Sequence, residues 1–265
     1  MIYDFCGQTH AGMTRKNNED ALAFDAATGL CILADGMGGY NAGEVASGMA
    51  VAFLTSEMNH WLSQGGRQAT GREVRKALEI CVENANHSIF SAASASPEFA
   101  GMGTTLVVGV FQEGRLLLGH VGDSRCYRLR GQVLQQITKD HSLIQEQLDA
   151  GLITAEQAFN SLNRNLVTRA LGIEDMTRAE VHEHRVDVGD LYLMCSDGLS
   201  DMLTDDSIAE IVRRAGTLAH KAGRLIEAAN EAGGRDNISV LLARAKQDPS
   251  RRGLLSRILG KYGAD

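Results

Sequence analysis

The chain has 265 residues, 44% of them hydrophobic and 22% charged, with a formal net charge of −7. That acidity argues against a nucleic-acid surface, which normally presents a basic face. No run of eighteen apolar residues offers a membrane span, and the N-terminus lacks the charged-then-apolar pattern of a secretion signal, so a cytoplasmic protein is expected.

The length suits one large domain with a substantial core, and no Pro/Ser-rich linker divides it, since only Pro97 and Pro249 occur. We expect a domain over residues 1–246 and a short tail over 247–265. Cys6, Cys31, Cys81, Cys126 and Cys195 lie mostly inside apolar patterns with no Cys-x-x-Cys spacing, and read as buried thiols.

Residues 2–35 read as strands broken by the polar loop "TRKNNED". From Gly43 to about Gln64, Val45, Met49, Phe53, Leu54, Met58, Trp61 and Leu62 recur at helical spacing; Val74, Leu78, Cys81, Val82, Ala85, Ile89 and Phe90 repeat the pattern. A β-rich block follows, "TTLVVGVF", "GRLLLGHVG", "RCYRLR" and "QVLQQIT", whose short turns suggest antiparallel hairpins. A polar, helix-like region from Ser142 to Leu171 interrupts it. Strands resume at 178–186 and 190–195, helices at 205–214 and 217–232, and "NISVLLARA" is a last strand. Segregated strands and helices favour α+β, and this much β structure is best buried as two packed antiparallel sheets with helices outside.

Three apolar runs end on an aspartate: "CILADG" at Asp35, "LLLGHVGD" at Asp123 and "LYLMCSDG" at Asp197. A single Asp-Gly reads as a turn, because both residues tolerate positive φ. Three such ends suggest convergence on one point, and gathered carboxylates repel each other unless a cation sits among them. "TRKNNED" adds Arg15, Glu19 and Asp20, and "GGRDNISV" sets Asp236 ahead of a strand; alone, these read as a solvated loop and an Asx turn. Oxygen ligands without His or Cys spacing favour hard ions such as Mg²⁺ or Mn²⁺.

The ordered set "RKNNED", "ADGMGG", "GTT", "GDSR", "DHS", "TRALG", "SDGLSD" and "GGRDNIS" strongly resembles the PPM family, the metal-dependent type 2C serine/threonine protein phosphatases, in its compact bacterial form. The motifs run from Arg15 to Ser239, nearly the whole chain apart from the tail. The resemblance implies an α-β-β-α sandwich and hydrolysis of phosphoserine and phosphothreonine on proteins, opposing a bacterial Ser/Thr kinase. It also implies two divalent ions, Mn²⁺ or Mg²⁺, with a third, weaker site. Asp35 then matches the carboxylate bridging both metals, with the Gly36 carbonyl on one of them. Asp197 and Asp236 match the remaining ligands of the second metal, Glu19 a residue that holds a metal-bound water, and Asp123 with Asp197 the third site. Arg15 matches the residue that grips the substrate phosphate. Asp20 reads equally as a ligand or as a loop anchor bonded to backbone; Thr104 and Thr105 read as packing a strand start, and Ser124 either orients Asp123 or caps its turn.

Met37 stands where many eukaryotic members carry a histidine proposed to protonate the leaving alkoxide, which leaves that acid unassigned; a metal-bound water is the expected donor, and His141 is the first histidine whose replacement would test it. The segment 142–170 resembles the family's flap, without the His-Pro that relatives often carry near "NSLNRN". His120 reads as a core histidine, and His182 and His184 as solvent-facing on one strand. In the tail, Leu254, Leu255, Ile258, Leu259 and Tyr262 share one helical face with basic residues elsewhere, which confines any membrane contact to this segment. A monomer is expected. The competing readings are a pseudophosphatase binding module and a two-metal hydrolase of small phosphoesters.

Overall fold

The computed structural model describes residues 1–39, 42–159 and 166–249. Three strands open the chain, β1 (Ile2–His10), β2 (Asp20–Asp25) and β3 (Leu30–Met37), followed by the long helices α1 (Ala42–Ser63) and α2 (Gly71–Ala95). The β-rich block forms β4 (Gly103–Thr104), β5 (Leu106–Gln112), β6 (Arg115–Val121), β7 (Arg125–Arg130) and β8 (Val133–Gln136). Short helices α3 (Leu143–Asp149) and α4 (Ala155–Phe159) precede β9 (Glu180–Arg185) and β10 (Leu191–Cys195). The chain continues through α5 (Asp197–Ser200), α6 (Asp205–Arg213), α7 (Leu218–Glu231) and β11 (Ile238–Lys246).

The strands form two antiparallel sheets, ordered β1-β11-β10-β7-β8 and β2-β3-β5-β6-β9, with β4 on β3. Alternation along each inner strand explains the layers, because successive side chains point to opposite faces. Leu30, Ile32 and Ala34 of β3 meet α1 and α2 on one side, while Cys31 and Leu33 face the other sheet. On β10, Leu191, Leu193 and Cys195 pack on α6 and α7, while Tyr192 and Met194 point inward. Three stacked apolar layers result, in the order helix, sheet, sheet, helix, as expected for an α-β-β-α sandwich. Strands covered on both faces are apolar throughout, which is why β5 and β10 read as unbroken hydrophobic runs.

Local chemistry fixes the helix ends. Thr70 and Glu73 form a reciprocal capping box on α2, and Thr204 and Thr217 accept the backbone N–H of Ser207 and His220 to start α6 and α7. The buried Lys221 ammonium donates to the Val212 carbonyl at 2.6 Å and to that of Arg214, and so closes the C-terminal end of α6.

Several expectations are corrected. β3 does not stop at Asp35 but runs on to Met37, because Gly36 pairs with Thr104 and Met37 with Gly103. "SDGLSD" winds into the short helix α5, whereas the Asp-Gly signal reads as a turn. His182 faces solvent as expected, but His184 is half-buried. Cys31, Cys126 and Cys195 are buried free thiols, while Cys6 and Cys81 are only partly covered. "NSLNRN" and the tail from residue 250 lie outside the described residues.

Candidate metal centre

Asp35 sits in β3 with its backbone clamped. Its N–H donates to the Thr105 hydroxyl at 3.0 Å, and its carbonyl accepts from the Thr105 N–H and the Thr104 hydroxyl, both at 2.9 Å. The Thr105 and Ser124 hydroxyls share a hydrogen bond of 2.7 Å, so these residues link the turn carrying Asp123 to the strand carrying Asp35. Their role is thus more than packing a strand start.

A second clamp holds the polar loop. The buried Asn237 accepts the Glu19 N–H at 2.7 Å and donates to the carbonyls of Ala11 at 3.1 Å and Asn17 at 2.9 Å, while its own N–H reaches Asp236 Oδ1 at 2.8 Å. The Glu19 carbonyl accepts from Gly36 N–H at 3.1 Å and from the Ser47 hydroxyl at 2.6 Å. Glycine is needed at Gly36, where a Cβ would lie 2.1 Å from the Gly43 carbonyl oxygen and 2.6 Å from that of Glu19. At Gly198 the same atom would stand 2.0 Å from the Asn237 carbonyl oxygen, which keeps Asp197 beside Asp236.

Asp20 is buried and takes the Ser196 hydroxyl on Oδ2 at 2.8 Å, with Ser196 Oγ accepting the Ser239 N–H at 2.9 Å. It anchors the loop through a side-chain hydroxyl rather than through backbone. Its other oxygen, Oδ1, is buried without a hydrogen-bond partner.

These placements gather like charges. Burial holds the Asp35 carboxyl well above the usual range, and Asp20, Asp197, Asp123 and Asp236 push it the same way. Asp197 is raised by burial, then by Asp123, Asp201 and Asp236. Burial pushes Asp20 and Asp123 up to about 6, with Asp236 adding to the first and Asp140 to the second. Glu19 is raised by burial too. Asp35 is therefore within electrostatic reach of Asp20, Asp123, Asp197 and Asp236, and Glu19 within reach of Asp236. Arg15, which is exposed, donates from Nη2 to Asp236 Oδ2 at 2.7 Å, so the guanidinium lies on the rim of the cluster.

The arrangement fits divalent cations. Its donors are oxygens, its charges repel in the absence of a counter-ion, Asp20 Oδ1 is an orphan, and the Gly36–Gly43 contact leaves no room for side chains. His141 is not aimed at it: Nδ1 accepts the Gly122 N–H at 3.1 Å, and Nε2 faces Glu180 Oε1 at 3.2 Å. Sequence reasoning missed Asn237, Ser196 and Asp201, and it missed that Arg125 of "GDSR" forks onto Asp140 of "DHS" at 2.7–3.1 Å. The signal for that last pair was present, since both residues stand beside motif positions.

Comparison with known proteins agrees. The protein phosphatase 2C family model matches residues 6–235. The chain is 36% identical to a Listeria monocytogenes serine/threonine phosphatase, stp, over 93% of this chain and 96% of that one. It superposes on the Mycobacterium tuberculosis serine/threonine phosphatase PstP/Ppp with a TM-score of 0.85 and 37% identity, covering 93% of this chain and all of the other. A PstP catalytic domain in complex with two manganese ions superposes with a TM-score of 0.82, at 37% identity, covering 93% and 99% of the two chains. The chain belongs to the protein phosphatase 2C family, the metal-dependent serine/threonine protein phosphatases.

Proposed function

We propose that this chain hydrolyses phosphoserine and phosphothreonine on proteins with two divalent ions, Mn²⁺ or Mg²⁺, held by Asp35, Asp197, Asp236, the Gly36 carbonyl and, through water, Glu19. Asp123 with Asp197 and Asp201 supplies a third, weaker site. The single observation that carries this reading is the convergence of five buried or half-buried carboxylates, four of them raising the Asp35 carboxyl. Bound divalent ions would offset the phosphate charge and acidify the attacking water.

The chain's own residues do the rest. The Arg15 fork can pair with two phosphate oxygens, exchanging its Asp236 partner for substrate. Thr104, Thr105 and Asn237 hold the carboxylates in place through backbone clamps, so their geometry is set before substrate arrives. Met37 has no proton to give the leaving alkoxide. The physiological partners would be phosphoproteins and the Ser/Thr kinase that modifies them, met by a monomer. Among the described residues no helix is long and apolar enough to cross a membrane.

Phosphate release from a phosphothreonine peptide, with Mn²⁺, with Mg²⁺ and with EDTA, tests the proposal on wild type, Asp35→Asn and Asp236→Asn. Turnover that requires metal and collapses in both variants supports it. Folded, metal-supplied wild type without turnover would contradict it and leave the binding module or the hydrolase of small phosphoesters.

A further inference from the structure

Behind Asp123 lies a second cluster. One ligand-type atom each from His120 of β6, His141 and Glu180 of β9 lie within 4.8 Å of one another, and the two imidazoles stack at 4.7 Å with 15° between their planes. Histidines beside a carboxylate suggest another cation site, but the hydrogen bonds argue against it. His141 Nδ1 accepts the Gly122 N–H at 3.1 Å, so the neutral ring carries its proton on Nε2, and a protonated nitrogen has no lone pair for a cation. Nε2 is buried, and its N–H faces Glu180 Oε1 at 3.2 Å without the alignment of a full hydrogen bond. His120 Nε2 stands 2.8 Å from the Lys139 carbonyl, which can only accept. Burial lowers both imidazoles' affinity for a second proton, in keeping with neutral rings.

What His141 holds is Gly122. Both polar groups of that residue end on His141: the Gly122 N–H on Nδ1, and the Gly122 carbonyl on the His141 N–H at 2.9 Å. Gly122 has φ +99° and no space for a Cβ, which would stand 2.7 Å from Thr105, so no side chain fixes its peptide planes. Asp123 is the next residue. The same histidine's carbonyl accepts the Thr168 N–H at 2.8 Å, beside the Ser142–Val167 bridge that closes the base of the 142–170 segment.

We propose that His141 is a positioning residue for Asp123, with Nδ1 as the working atom and the Gly122 N–H fixing the tautomer. This rests on the reading of Asp123 as a ligand of the weak third site. Two substitutions separate the ring's two atoms. His141→Asn keeps an acceptor near the place of Nδ1 and loses the Glu180 contact; His141→Gln reaches toward Glu180 and leaves the Gly122 N–H without its acceptor.

The test uses the full chain, with deuterium exchange at the Gly122 amide and calorimetric titration with Mn²⁺ alone. Gln should speed exchange of that amide and weaken the last-filling site by about 10–100-fold, the usual cost of losing an outer partner. Asn should stay near wild type in both, and the tighter sites should not move in either variant. Equal behaviour of Asn and Gln, or wild-type exchange in Gln, would overturn the proposal. A wild type that takes up no Mn²⁺ would instead sink the functional reading, and the exchange contrast would still decide whether His141 fixes Gly122.

Discussion

Strand β10 carries an aspartate near each end, and the two could hardly differ more. Asp190, just before Leu191, is 2% exposed, yet it takes Arg130 Nε at 2.9 Å, Arg130 Nη2 at 2.7 Å and the Asp187 N–H at 2.8 Å. Burial pushes its carboxyl up, but those partners outweigh it and leave the group below the usual range. Asp197, two residues past Cys195, has Asp123, Asp201 and Asp236 as its electrostatic neighbours, and its carboxyl is held well above that range. One end of the strand is a satisfied ion pair that holds the fold. The other gathers carboxylates whose repulsion is relieved by a proton or by a bound cation, and that difference is what the proposed metal site rests on.

The comparison is broken most forcefully by exchanging each aspartate for asparagine. Asp197→Asn should lower kcat/KM by at least about a hundredfold, more than loss of an outer-shell partner costs, whereas Asp190→Asn should leave it within about twofold, the scatter of a variant remote from the chemistry. Comparable losses in a phosphopeptide assay would erase the distinction.

Next in size is Arg15. Hydrogen bonds to charged groups contribute about 1.5–3 kcal/mol, so Arg15→Ala should cost about 10–150-fold in kcat/KM. Arg15→Lys should recover part of it, because an ammonium supplies the charge without the fork. An unaffected alanine variant would remove Arg15 from substrate binding.

For stability the order reverses. Asp190 is buried but Arg130 is 37% exposed, so losing the pair should cost about 1–3 kcal/mol, and Asp190→Asn should lower the melting temperature by roughly 2–12 °C. A shift under about 2 °C would mean that the Arg130 pair contributes no more than a surface bridge.

The smallest effect is in pH. Because the folded Asp190 carboxyl lies below its unfolded value of about 3.9, its stabilisation is present above that pH and lost as pH falls through the folded value. Urea unfolding of wild type and Asp190→Asn should therefore differ by a constant amount near neutrality and converge below about pH 4. A gap that persists into acid would assign the effect to packing.

The same contrast explains what could be read before the structure. Periodicity and apolar runs ending on aspartate exposed the two sheets, the long helices and Asp35, Asp123 and Asp197, because those signals are local. Asn237 was invisible: its partners Glu19 and Asn17 lie more than two hundred positions away, and no spacing announces a clamp of that range. Asp190 carried no signal of its ion pair, since Arg130 is brought alongside only by the pairing of β10 with β7. α5 was missed because Asp197 and Gly198 open a short helix there, against the turn preference of Asp-Gly, while the glycine itself is required by the closeness of the Asn237 carbonyl.

The most direct test of stored repulsion is the melting temperature of Asp197→Asn and wild type in EDTA and across a Mn²⁺ titration. In EDTA the variant should melt higher than wild type, because one of the opposed charges is gone. Added Mn²⁺ should then raise wild type progressively, as a ligand bound only by the folded chain must, and move the variant far less. A variant that melts lower in EDTA yet gains as much from Mn²⁺ would contradict the account, making Asp197 a structural residue and placing the metal elsewhere.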